Sequence, residues 1–213
     1  MNEPPYRDVA GTPTGPLDVG AWNERWTRGD TPWDMGGPAP PFVGALARGT
    51  IAPPGRVLVP GCGSGHDARL LASHGFSVTA VDLAPQAIER ARSLSRDTLA
   101  AHAVDFRVAD LFALPPDLAP FDVVLEHTCF CAIHPRRRDA YVDAVAAALA
   151  PRGVLLGLFF VFEAEEGPPF GASGAEIRHR FARRFTIDHG GFPPDSHARR
   201  AGREMLFLMR RAG

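Results

Sequence analysis

Lysine is absent from the 213 residues, so all 23 basic positions are arginine. Without lysine there is no lysine Schiff base and no P-loop lysine, which excludes pyridoxal-phosphate enzymes and Walker-type NTPases. An excess of one charge is missing too. The formal net charge of −1 argues against a polyanion-binding surface, and no nucleic-acid partner is expected. No uncharged apolar run reaches membrane-spanning length; Val154 to Phe162 is only strand-sized. The first twenty residues carry no apolar core of signal-peptide length, so no membrane association is expected. Cysteine is scarce. Cys62, Cys129 and Cys131 make an odd set with no repeated pair suited to zinc, which points to no metal and to a reducing, cytoplasmic location. Arginine in place of lysine, beside 21 prolines and many alanines, suggests a GC-rich bacterial gene.

What is present centres on Arg56 to Asp82, RVLVPGCGSGHDARLLASHGFSVTAVD. Val57, Leu58 and Val59 form a short apolar run without alternation, the pattern of a strand buried on both faces. Gly61, Gly63 and Gly65 follow, where the backbone needs positive φ or must let a ligand come close. His66 to His74 reads as a helix ended by Gly75. Phe76 to Val81 then alternates as a second strand and delivers Asp82. Strand, glycine turn, helix, strand and acid make the first half of a nucleotide-binding α/β fold. The acid lies about 20 residues past the first glycine, where a carboxylate accepts both ribose hydroxyls. The spacing is G-x-G-x-G. An ordinary glycine-rich turn in an α/β domain is the alternative reading.

The length fits one domain. Residues 1–20, rich in Pro, Gly and Thr, read as a flexible N-terminal segment, and 21–213 as the domain, with 21–54 as an N-terminal lid or cap. All three tryptophans, Trp22, Trp26 and Trp33, lie in Ala21 to Gly37. Trp22 and Trp26, four apart, share a helix face. They either anchor that helix to the core or form an aromatic lid over a cationic ligand. A short helix through Phe42, Leu46 and Ile51 leads into the central stretch. Pro85 opens another helix, and Arg96 to Ala103 either extends it or forms a loop. Val104 to Asp110 is a third strand, ending in an acid flanked by Leu111 and Phe112, which suits an adenine or simply caps a turn. Phe121 to Leu125 is a fourth strand, followed by Glu126, His127, Thr128, Cys129, Phe130 and Cys131. Ligands in open α/β sheets bind beyond the carboxyl ends of strands, so this segment should face the reacting centre. A lone histidine there is either a base or structural. A helix from Pro135, with Arg136 to Arg138 as a solvated face, leads to a fifth strand over Gly153 to Phe162. Ser173 to Glu176 is a capping box, and Phe185 to Asp188 and Met205 to Arg210 complete the strands.

The segments AWNERWTRGDTPWDMG, RVLVPGCGSGHD, VDL, AD, CFCAIHP, GPPF and PDSHARRAGRE together resemble the thiopurine S-methyltransferase family, and its halide/thiol methyltransferase branch in particular. The likeness runs from about Trp22 to about Arg211. It implies an α/β, Rossmann-like three-layer sandwich of the class I methyltransferases, with a seven-stranded, mostly parallel sheet whose last strand is antiparallel. It further implies S-adenosyl-L-methionine as methyl donor and S-adenosyl-L-homocysteine as product. By resemblance, Trp22, Trp26 and Trp33 contact the cofactor, as do Gly61, Gly63, Gly65, Asp82 with Leu83, Asp110 with Leu111, and Glu126 with His127. His127 falls where relatives place an active-site residue, often tyrosine or arginine, which makes it the candidate catalytic group. Phe130, Phe170, Arg200 and Arg203 fall in segments that bind the acceptor.

The chemistry expected is methyl transfer to a small soft nucleophile, most naturally the sulfur of a thiol, with sulfide, selenium or halide species in the same class. A positively charged methyl donor is already activated, so the protein has to align an in-line displacement and exclude water. The rival readings are a protein that binds S-adenosylmethionine without turnover and, from the glycine turn alone, an NAD-linked oxidoreductase.

Overall fold

The computed structural model describes residues 18–96, 104–164 and 166–213. The flexible segment expected at 1–20 falls outside the described residues up to position 17, and so does the stretch 97–103. The chain runs α1 (Val19–Arg28), α2 (Pro40–Ala47), β1 (Arg56–Pro60), α3 (His66–Ser73), β2 (Ser77–Asp82), α4 (Pro85–Ser93) and β3 (Val104–Val108). It continues through β4 (Phe121–His127), α5 (Arg138–Ala148), β5 (Leu149–Phe160), α6 (Gly174–Phe181), β6 (Phe185–Gly191) and β7 (Glu204–Arg211). The strands form one seven-stranded sheet in the order β3-β2-β1-β4-β5-β7-β6. β3, β2, β1, β4 and β5 are mutually parallel, and β7 runs antiparallel to both β5 and β6. This is the class I methyltransferase architecture.

The apolar run of β1 explains why helices cover both faces. Val57 and Val59 pack with Phe42 of α2, Leu71 of α3 and Ile88 of α4. Leu58, one residue out of phase, joins Tyr141, Val142 and Val145 of α5 and Phe181 of α6 on the other face. Period-2 side chains on a doubly covered strand force this division. The second face is the more aromatic. Phe130, Phe159 and Phe181 meet with centroids 5.3–5.8 Å apart, and removing one such buried ring costs about 3–5 kcal/mol.

The structure departs from expectation along the later chain. Pro135–Arg137 is a 3-10 turn, and α5 begins only at Arg138. Arg138 is also no part of a solvated face. It is 1 % exposed, pairs with Glu176 at 2.9 Å and donates to the carbonyls of Phe170 and Gly171. Spacing could not separate it from its exposed neighbours Arg136 and Arg137, because its partners lie more than 30 residues on. β5 starts four residues before Gly153 and stops at Phe160, while Phe162 makes an isolated bridge to Ala172. The Ser173 hydroxyl accepts the Glu176 N–H at 3.1 Å, as the capping pattern requires.

Candidate active site

The carboxyl ends of β1 to β5 open into a cavity of about 390 Å³, within the range of small-ligand sites. Its floor is the glycine turn. Gly61 and Gly63 hold φ of +58° and +51°, and a Cβ on either would press on the Cys129 side chain or on the Trp26 ring at 3.0–3.2 Å. The turn therefore needs glycine twice over, for its backbone and for its neighbours. Asp82, at the end of β2, accepts the N–H groups of Gly63 at 3.0 Å and Ala84 at 2.9 Å. Burial pushes its carboxyl above the ordinary range against the pull of those N–H donors. Leu83, Asp110, Leu111 and Phe112 continue this wall, and Asp110 is fixed by accepting the Phe112 N–H at 2.9 Å.

The roof is the tryptophan segment. Asp18 caps α1 by accepting the Ala21 N–H at 2.8 Å, and Gly29 ends it at φ 69°. No residue of α1 is fully buried. Trp22, Trp26 and Trp33 line the cavity and meet edge to face around Trp33, with centroids 5.6 and 5.9 Å apart. Three ties hold this roof down. The Asn23 side chain accepts the Gln86 N–H at the start of α4 at 2.9 Å. Asp34 accepts the Ser64 hydroxyl and lies 3.2 Å from His66; the His66 contact outweighs burial and holds Asp34 well below the usual carboxylate range. Arg200 donates to the Trp33 carbonyl at 3.1 Å.

The far end of the cavity has the opposite charge. Arg199, Arg200 and Arg203 line it together with Phe160, Pro168, Pro169 and Ile133, while Arg25 lines the cavity from α1, over the Trp22 and Trp33 rings. Arg25 is paired with Asp30 and Arg200 with Glu204. Arg203 stacks on Phe160 at 4.8 Å, and neither it nor Arg199 has a carboxylate partner among the described residues. Acidic groups at one end and guanidinium groups at the other suit a cationic ligand meeting an electron-rich one.

Of the residues expected at the site, Trp22, Trp26, Trp33, Gly61, Gly63, Asp82, Leu83, Asp110, Leu111, Arg200 and Arg203 share this lining. Gly65, Glu126, His127, Phe130 and Phe170 are not among the residues that line it. A Cβ on Gly65 would strike the Phe106 ring at 2.6 Å, so that glycine serves helix–sheet packing. Glu126 is fully buried behind the cavity, accepting the Phe130 N–H at 2.8 Å and the Tyr141 hydroxyl; burial pushes its carboxyl up to about 7. Phe130 belongs to the aromatic core, and Phe170 is buried against His134, its N–H given to the Cys131 carbonyl at 2.7 Å.

His127 faces a different set of partners. Its Nδ1 lies 2.7 Å from Asp67 and its Nε2 3.8 Å from Glu204, with the Phe42 ring edge-on at 5.6 Å. Burial favours the neutral ring, but the two carboxylates overcome it and raise the imidazole to about 9. Raised so far, the ring favours its charged form at neutral pH, the form that cannot take up a proton. Asp67 also accepts the Ala39 N–H at 2.8 Å, and Glu204 pairs with Arg200 at 3.4 Å. His127 thus stands at the centre of a charged chain linking the roof, α3 and β7.

Sequence reasoning passed over Arg25, Asp34 and Met35, and it placed Thr128, Cys129 and Cys131 in the segment facing the reacting centre without giving any of them a role. Arg25 was within reach, since i+3 spacing puts it on the Trp22 face. Asp34 gave no local signal because Ser64 is 30 residues away.

The family model for thiopurine S-methyltransferases matches residues 17–197. A probable thiol methyltransferase 2 of Arabidopsis thaliana is 35% identical over 158 residues, 74% of this chain and 69% of that protein. Thiocyanate methyltransferase 1 of Brassica oleracea is 34% identical over 167 residues, 78% of this chain and 73% of the other. Thiopurine S-methyltransferase of Pseudomonas fluorescens (strain SBW25) is 28% identical over 183 residues, with 78% and 83% covered. A solved structure from work on converting a disulfide bond into a thioacetal group during echinomycin biosynthesis matches with a TM-score of 0.74 at 26% identity over 91% of each chain. The N-methyltransferase NodS from Bradyrhizobium japonicum WM9, in complex with S-adenosylhomocysteine, shares the fold with a TM-score of 0.63 at 17% identity, over 81% of this chain and 85% of that one. None of these likenesses favours a nicotinamide-linked oxidoreductase. The chain belongs to the thiopurine S-methyltransferase family and is an S-adenosylmethionine-dependent methyltransferase.

Proposed function

We propose that this enzyme methylates the sulfur of a small thiol. The observation that carries the reading is a cavity whose acidic, glycine-floored end passes into an end lined by Arg199, Arg200 and Arg203. The acidic end fits S-adenosylmethionine: a Cβ would fill the space kept open at Gly61 and Gly63, and Asp82 ends its strand where ribose hydroxyls would be held. Asp110 suits the adenine amino group, and Trp22, Trp26 and Trp33 offer aromatic faces to a sulfonium, worth about 0.5–2 kcal/mol. When bound, S-adenosylmethionine supplies a methyl group already activated on positive sulfur. The remaining tasks fall to the chain's own side chains. The tryptophan roof and the wall of Phe160, Pro168 and Pro169 exclude water. The guanidinium groups draw an anion to the far end and lower the pKa of a thiol there from its reference of about 8.5, raising the thiolate fraction at neutral pH. A thiolate needs no base at the moment of attack, which accords with a His127 already protonated.

Sulfide, selenium species and halides share the softness of a thiolate and belong in the same acceptor class, and the name thiocyanate methyltransferase carried by one relative supports testing such anions. Residues 21–54 act as the lid of a single domain over 21–213. The three unpaired cysteines favour a reducing, cytoplasmic setting in a bacterial cell; no helix among the described residues is long and apolar enough to cross a membrane. A headspace and mass-spectrometric screen of methylated products from thiols, thiopurines, sulfide, selenium species and halides tests the assignment. The best acceptor should be a thiol, with a rate that climbs toward that thiol's own pKa. A halide as best acceptor, with no such limb, would overturn the choice of sulfur.

A further inference from the structure

We infer that the hydroxyl of Thr128 contacts the acceptor sulfur and donates a hydrogen bond to it, which makes Thr128 a catalytic residue of this site; the inference rests on the thiol reading above. Thr128 has φ +59°, and only one other described non-glycine residue, Arg152, has positive φ. A β-branched side chain is the least suited to that conformation, and glycine or asparagine there would be less strained. Residues held in such conformations cluster where function uses them, and persist only when the surroundings over-determine the backbone. The surroundings here do so without the Thr128 side chain. The Phe130 N–H goes to Glu126 at 2.8 Å, which the Tyr141 hydroxyl holds from behind. The Ala132 N–H goes to the Cys129 carbonyl at 2.9 Å and the Phe170 N–H to the Cys131 carbonyl at 2.7 Å.

Position adds the second argument. Thr128 and the next residue, Cys129, line the cavity, whereas His127 before them and Phe130 after them do not. It follows β4, the strand between β1, whose turn floors the acidic end, and β5, whose Phe160 walls the arginine end. The next residue, Cys129, lies against Gly61. Thr128 thus stands at the junction of the two ends. Its carbonyl is taken by the Cys131 thiol at 3.2 Å, while its hydroxyl has no hydrogen-bond partner among the described residues. That hydroxyl is a neutral donor at the junction, beside the thiol of Cys129, which also lines the cavity. In the reaction the thiol proton has left to water, the acceptor sulfur gains the methyl group, and the electron pair of the broken carbon–sulfur bond stays with the departing sulfur. A donor to the thiolate fixes which lone pair faces the methyl carbon.

The test compares Thr128→Val, Thr128→Ser and Thr128→Gly in the full chain, using the best thiol from the screen. Three readouts are needed: kcat/KM, S-adenosylmethionine affinity by titration, and thermal midpoint. Thr128→Val keeps the branch and loses the hydroxyl. It should cut kcat/KM about 10- to 100-fold, the scale of a lost hydrogen bond to an ion, with cofactor affinity unchanged. Thr128→Ser should stay within about fivefold of wild type. Thr128→Gly should be as slow as the valine variant while melting no lower than wild type, because glycine relieves the left-handed backbone. A gain or tie in stability alongside a loss of rate is a pattern that a purely structural threonine does not produce. Valine and glycine variants within about threefold of wild type would overturn the role of Thr128 and leave the thiol reading standing. A wild type that methylates no thiol would overturn that reading and this inference together.

Discussion

Replacing His127 with glutamine separates a structural cation from a catalytic base. The imidazole sits between Asp67 at 2.7 Å and Glu204 at 3.8 Å, and is raised to about 9 from an unfolded reference of about 6.5. At 1.36 kcal/mol per unit that difference amounts to about 3 kcal/mol of folding stability. The folded value is the higher one, so this contribution is fully present below about pH 6.5 and is lost as pH rises through about 9. Burial of Glu126, raised to about 7, gives a further fall in stability between about pH 4.5 and 7 in both proteins, and the fall is larger in His127→Gln, which lacks the imidazole charge that helps to hold Glu126 down. Urea unfolding of both proteins at pH 6 and pH 10 should therefore show a gap of about 2–4 kcal/mol at the lower pH, closing to under about 1 kcal/mol at the higher. The wild-type rate should show no limb near pH 6.5 that the variant lacks. A stability gap that ignores pH, or a limb near 6.5 abolished by the substitution, would refute the argument that His127 is a protonated structural bridge.

Asp82→Ala should weaken S-adenosylmethionine binding by about 1–3 kcal/mol in a calorimetric titration, the scale of hydrogen bonds to a charged acceptor, with the fold intact; unchanged affinity would remove its ribose role. All tryptophans of the chain lie in the roof, so intrinsic fluorescence reports on it alone. Saturating cofactor should lower iodide quenching and slow tryptic cleavage at Arg25 and Arg28, since cleavage requires local opening. Asp34→Ala, which unties the roof from Ser64 and His66, should raise both in the free protein. Identical quenching and cleavage with and without cofactor would mean that the roof is a fixed part of the core.

The half of the cavity proposed to hold the nucleoside was readable because its determinants are local. An apolar strand, glycines at fixed spacing and a carboxylate at the next strand end lie within 27 consecutive residues, Arg56 to Asp82, and each carries its own backbone requirement. Strand and helix identities followed from period and punctuation, while ends drifted by two to four residues, as for β5, read from Gly153 to Phe162 but running from Leu149, which pairs with Phe121, to Phe160. The charged interior was not readable. Arg138 meets Glu176 and His127 meets Asp67 across 38 and 60 residues, and no periodicity encodes such pairs. His127 is the instructive case: its place at the end of β4 suggested the reacting centre, yet in the direction its side chain takes it finds two carboxylates. Thr128, the neighbour that does line the cavity, had no distinguishing feature until its backbone angle was known.

The central claim is that one cavity brings S-adenosylmethionine and a thiol together for methyl transfer. Its most direct test is a single mass-spectrometric time course with purified enzyme, S-adenosylmethionine and the thiol panel, counting both products. The account predicts that a methyl thioether and S-adenosylhomocysteine appear in equal amounts, and that neither forms when enzyme or thiol is left out. Tight binding of S-adenosylmethionine with no methylated product from any acceptor would contradict it and leave a ligand-binding protein in place of an enzyme.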